Sequence, residues 1–158
     1  MSNAYLLIRT IHILSATVLL GTGIGTAFHM WFAHRTGELH AIAAVSANVV
    51  LADFLFTTPA IIAQPLSGVA LIWLSRSDPW APWLIASYAL FVVAGTCWLP
   101  IVGLQIRVRD LARAALAAGR PLPPEYHHSM RLWFRLGWPA LAAVLAIFWL
   151  MTAQPRLW

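Results

Sequence analysis

Residues Tyr5–Arg35 read YLLIRTIHILSATVLLGTGIGTAFHMWFAHR, and the 25 residues between Arg9 and Arg35 carry no formal charge. That exceeds the roughly 20 residues needed to cross about 30 Å of hydrocarbon as an α-helix. The segment is read as a transmembrane helix. It also holds His12 within the apolar run. An ionisable side chain at such a depth must face the bundle interior or a cavity and find a partner, so His12 is the first candidate site residue.

The rest of the chain has the same character. Of 158 residues, 61% are hydrophobic and only 9% charged, with nine Trp, and the mean hydropathy is +0.76. Soluble domains carry about a quarter charged residues, so this composition indicates an integral membrane protein. Charge-free windows at 10–34, 54–75, 79–106 and 136–155 predict four spans in a single all-α domain, an integral membrane four-helix bundle. The helices are expected at about 5–33, 41–75, 82–108 and 131–153. One straight helix over Leu39–Leu74 would be about 54 Å long, more than the bilayer thickness. Its membrane part is therefore placed at 54–75. Pro59 and Pro65 remove backbone donors there and free the carbonyls of Leu55 and Ile61, which predicts a kinked second helix served by the hydroxyls of Thr57 and Thr58.

All ten basic residues are Arg. Alternating loops put Arg35, Arg107, Arg109, Arg113, Arg120, Arg131 and Arg135 on one side, and Arg9, Arg76 and Arg156 on the other. Seven against three makes the first side cytoplasmic and both termini outer. The expected location is a bacterial inner membrane, with multiple passes. Charges at the ends of apolar runs, without interleaved aromatics on one face, argue against nucleic acid as a partner. The first run is too long for a cleaved signal and is expected to remain as an anchor. A single cysteine, Cys97, excludes an intrachain disulfide and a multi-cysteine metal site. Beyond Arg107 the third helix can continue as an amphipathic helix with Leu111, Ala114 and Ala115 on one face, stopped by Gly119 and the prolines. Trp73, Trp80 and Trp83 at outer ends and Trp31, Trp133 and Trp138 at inner ends fit interfacial belts.

At 100° per residue, His12, Ala16, Leu19, Gly23, Thr26 and Met30 form a stripe able to meet a helix or a flat macrocycle. Gly21 and Gly25 form a GxxxG pair, read as close helix packing. Asp53, Thr57, Gln64, Ser67 and Gly68 make a polar stripe on the second helix, expected to turn inward for interhelical hydrogen bonds or to line a path. Depth counting brings Ser67, Tyr88 and Gln64 nearest to His12. His29 lies about 25 Å from His12 along the helix and roughly 100° around it. It could serve only a second metal site, alone or with His34, His40, His127 or His128.

The segments IRTIHILSATVLLGTGIGTAF, AHRTG, VVLADFLFTTPAIIAQPLSG, AGTCWLPIVGLQIRVRDLA, LPPEY and WFRLGWPALAAVLAIFWLM together resemble the bacterial integral-membrane family known as domain of unknown function 2269, over nearly the whole chain. Arg9 followed on the next turn by His12 more distantly resembles the opening of copper-resistance-D-like membrane proteins and of the haem-binding HemJ type of protoporphyrinogen oxidase. That resemblance implies haem b with His12 as axial ligand. It covers essentially the first helix. Arg stands where those proteins carry Lys, and LIASYALFVVAGTCWLP offers no Lys as a second ligand, which speaks against the oxidase activity. Two functions are therefore expected. One is a b-type cytochrome-like haem protein for electron transfer or haem-linked redox. In it His12 is the axial ligand, Arg9 lies near a propionate, Gly23, Gln64, Ser67 and Tyr88 shape the pocket, and a second protomer, a quinone or a membrane redox partner is the associate. The other is a cofactor-free transporter-like or scaffold subunit in which His12, Asp53 and Gln64 form a polar network handling protons or, ranked lower, copper.

Overall fold

The structure, a computed structural model, describes residues 3–155; Arg156, counted above with the outer arginines, lies outside the described residues. The element order is α1 (Asn3–Thr36), α2 (Leu39–Ala52), a π-helical turn (Asp53–Thr57), α3 (Thr58–Ser75), α4 (Pro82–Ala118) and α5 (Pro124–Ala153). α2, the π turn and α3 form one unbroken rod, Leu39–Ser75, so four helices are long and apolar enough to cross a membrane. Large apolar side chains from Leu6 to Trp149 stand exposed around the outside. In water such a surface would drive aggregation; in lipid it is the expected outer face. The protein is an integral membrane four-helix bundle.

The helix ends follow from local chemistry. α1 stops at Gly37, whose φ of 71° few other residues adopt. α4 stops at Gly119 (φ 59°), where the amide of Arg120 bonds the Ala115 carbonyl at 3.0 Å, closing the last turn in a Schellman arrangement. Pro124 then opens α5 at a position where a missing N–H costs nothing. Past Arg107, α4 buries Val108, Ala112 and Ala115, while Ala114 is exposed. The buried face is thus the i, i+4, i+7 row from Val108, and Ala112 takes the place assigned to Ala114 from the sequence.

The disturbed turn of the second span precedes Pro59. The amide of Thr58 reaches back five residues to the Asp53 carbonyl, and the Thr58 hydroxyl donates to the same oxygen at 3.1 Å. A proline ring crowds the carbonyl four residues before it, and widening the preceding turn relieves that crowding. Pro65 sits inside regular α3.

Packing is uneven along the bundle. At the arginine-rich end, α1, α2, α4 and α5 share a core of Met30, Ile42, Val108, Tyr126, Met130 and their neighbours. Toward the other end, α3 packs chiefly against α1 and α4 against α5, whereas α1 and α5 touch only lightly. Two helix pairs closed together at one end and separated further along leave a space between them.

A candidate intramembrane binding site

That space is a cavity of about 410 Å³ to which α1, the second span, α4 and α5 all contribute walls. It runs from Ala16 to Phe28 along α1, and its walls are almost entirely apolar. Apart from Thr26 on α1, the polar exceptions sit on the second span and on α4. Gln64 stands toward one end and Asp53, Thr57 and Gln105 toward the arginine-rich end. Eleven residues separate Asp53 from Gln64, roughly 16 Å along a helix. Among the described residues lining the cavity, Asp53 is the one ionisable side chain.

Asp53 is 9% exposed. Gln105 donates its amide N–H to Oδ2 at 2.8 Å, and the indole N–H of Trp98 reaches Oδ1 at 3.3 Å. Both carboxyl oxygens therefore accept hydrogen bonds from α4, and no cation lies among its partners in the described residues. Trp133 also lines the cavity. It is 8% exposed, and its indole N–H has no acceptor among the described residues. Its place in the core corrects the expectation that it anchors an interface. A Trp near a span end fits either role by position alone, and here it turns toward the helices. Trp73, Trp80 and Trp138 are highly exposed.

The second polar cluster joins α1 to α3 at the end of the cavity where Gln64 lines it. His12 Nδ1 lies 2.8 Å from Ser67 Oγ, while the Ser67 hydroxyl is only 2.6 Å from the Ala63 carbonyl. A carbonyl only accepts, so the single hydroxyl hydrogen goes to Ala63 and His12 Nδ1 must be the N–H donor. The network thus assigns His12 the tautomer in which Nε2 carries a lone pair, and Nε2 has no hydrogen-bond partner among the described residues. Gln64 donates to the His12 carbonyl at 2.8 Å and to Ser15 Oγ at 2.8 Å. At Gly68 the two helices lie close, and a Cβ there would be in ordinary van der Waals contact with His12 Cε1 at 3.5 Å. Close packing had been expected at Gly21 and Gly25 instead. No heavy atom of another element lies within 4 Å of a Cβ built at either.

The remaining candidates are dispersed. Tyr88 is 44% exposed on α4, which does not pack appreciably on α1, so the structure does not bring it to His12. Arg9 is exposed, and Gly23 lines the cavity. His29 is exposed and donates from Nδ1 to the Gly25 carbonyl at 2.9 Å. His34 is hydrogen-bonded to the Tyr126 hydroxyl at 3.3 Å and its ring lies 5.8 Å from that of His127, whereas His40 and His128 are exposed. No group of three or more His, Cys, Asp or Glu among the described residues could hold a metal ion.

Haem b needs an imidazole nitrogen facing an adjoining volume. His12 supplies the nitrogen, but it is not among the walls of the cavity, which starts at Ala16. The residues around His12 offer a ligand without an enclosed pocket beside it. The polar network expected from sequence is likewise divided in two: His12, Ser15, Gln64 and Ser67 form one part, and Asp53, Trp98 and Gln105 the other.

Neither the curated proteins nor the solved structures include a match to this chain. A family described as "Predicted integral membrane protein (DUF2269)" matches residues 6–155. With all but the extreme termini covered, the chain belongs to the DUF2269 family of integral membrane proteins.

Proposed function

We propose that the protein binds a largely apolar molecule taken from the bilayer, as a small membrane carrier or receptor. The supporting observation is the cavity of about 410 Å³ between the four spans, a size and lining in the range of small-molecule sites. Phe28, Phe134 and Trp138 belong both to its wall and to an adjoining groove completed by Trp31. A lipid-soluble molecule then enters sideways between α1 and α5 without crossing water. In this reading the arginine-rich end faces the cytoplasm of a bacterial inner membrane, following the bias of basic residues to that side.

Trp98, Trp133 and Trp138 line the cavity, so the test is heavy-atom quenching of tryptophan by 4-bromobiphenyl in nanodiscs. Saturable quenching is expected. It should weaken at least about tenfold in Gly23→Leu, the loss of roughly 1.4 kcal/mol of binding. A Cβ at Gly23 meets open space, and the leucine fills the cavity without forcing the backbone. Quenching that rises linearly with probe, identical in the variant, would rule out the pocket.

Haem b ligated by His12 is the second reading, and the tautomer favours it: Ser67 holds Nδ1–H and Nε2 is free, the arrangement of an imidazole ready to ligate a metal. Haem would supply one-electron chemistry. A Soret band in protein purified after haem-supplemented expression, lost in His12→Ala, supports this reading. A colourless protein that still gives saturable quenching rejects it and leaves the first.

A further inference from the structure

Resting on the reading of the cavity as a binding pocket, we infer that its occupant is a lipid-soluble cation, an amine or quaternary ammonium on an apolar body, with Asp53 as its counter-charge. An ionised carboxylate removed from water is costly unless it is hydrogen-bonded and paired. Gln105 and Trp98 supply hydrogen bonds at 2.8 and 3.3 Å, but neither carries charge. No Arg or His lines the cavity among the described residues, so an entering cation would supply the positive charge that the walls lack. The surrounding walls suit it. Phe91, Trp98, Trp133 and Phe134 line the same cavity, and aromatic rings attract ammonium groups through their quadrupoles.

The site therefore fits a lipid-soluble amine better than a plain hydrocarbon or an anionic lipid.

The experiment compares two molecules of one shape, benzyltrimethylammonium and neopentylbenzene, which differ by nitrogen for carbon and one charge. Each displaces 4-bromobiphenyl from the full chain in nanodiscs, with affinities expressed as mole fraction in the bilayer. The ammonium is expected to bind at least about tenfold tighter, the order of one desolvated cation–aromatic contact plus its counter-charge. Asp53→Asn should erase that preference and Asp53→Glu retain it. An ammonium that displaces the probe no better than its hydrocarbon twin overturns the inference while leaving the pocket standing. Absence of saturable quenching by 4-bromobiphenyl itself brings down the pocket reading. The comparison of the twins needs no variant, so poor folding of Asp53→Asn does not blunt it.

Discussion

At the scale of single residues, the two polar clusters do different work. Gln105 is 3% exposed and donates to Asp53. Gln105→Leu leaves a buried carboxyl oxygen without its donor, at a cost of about 1–3 kcal/mol. Asp53→Leu removes the acceptor and strands the glutamine amide. With both replaced neither the carboxyl oxygen nor the glutamine amide is stranded, and only the Trp98 indole loses its acceptor, so the double variant should be more stable than the sum of the single effects by at least about 0.5 kcal/mol. Unfolding in SDS measures the cycle, and strict additivity would mean that the pair is not coupled. Gly68 sets a steric limit at the other cluster. A Cβ 3.5 Å from His12 Cε1 is ordinary contact, so Gly68→Ala should change stability by less than about 1 kcal/mol. Gly68→Leu overfills the α1–α3 seam and should cost about 1–3 kcal/mol. Equal stability of the two variants would show that the seam is loose.

At the scale of elements, the spans were legible because charged residues are scarce in hydrocarbon, and 20 or more residues without one mark a helix by length alone. The facing of each helix was less legible. A helix lodged between lipid and an apolar core is hydrophobic all round, and the periodicity that separates inside from outside in water is lost. Polar residues are the exception, and they carried what could be read. Helix depth put Ser67 and Gln64 beside His12, but the same count suggested Tyr88, which lies at a similar depth on a different face. Gln105 and Trp98 were missed as partners of Asp53 because they lie 52 and 45 residues away on a helix whose rotation no pattern fixed. The π turn was legible only as a disturbance near Pro59. Pro59→Ala restores an amide and removes the crowding of the Leu55 carbonyl. The turn should then regularise to α-helix, with slower amide exchange over residues 54–59. Unchanged exchange would assign the wide turn to Asp53 and its partners on α4 instead of to the proline.

At the scale of the whole molecule, the uneven packing determines how anything reaches the cavity. A closed core at the arginine-rich end holds the four spans together, the hydrogen bonds of Asp53 to Trp98 and Gln105 tie the second span to α4, and α1 touches α5 only lightly. Phe28 and Trp138 stand at that seam, 58% and 70% exposed, with one side on the cavity and the other on the groove outside. Side chains placed this way restrict passage more than they stabilise the occupant, since an occupant deeper in the cavity touches other walls. Their removal should therefore change rates more than affinity. In Phe28→Ala with Trp138→Ala, association and dissociation of 4-bromobiphenyl should both accelerate, by about threefold or more, while the equilibrium constant moves by less than about twofold, because the barrier falls without a matching change in the bound state. Stopped-flow quenching through the remaining tryptophans separates the two quantities. Rates that stay at their original values would put the entrance elsewhere than between α1 and α5.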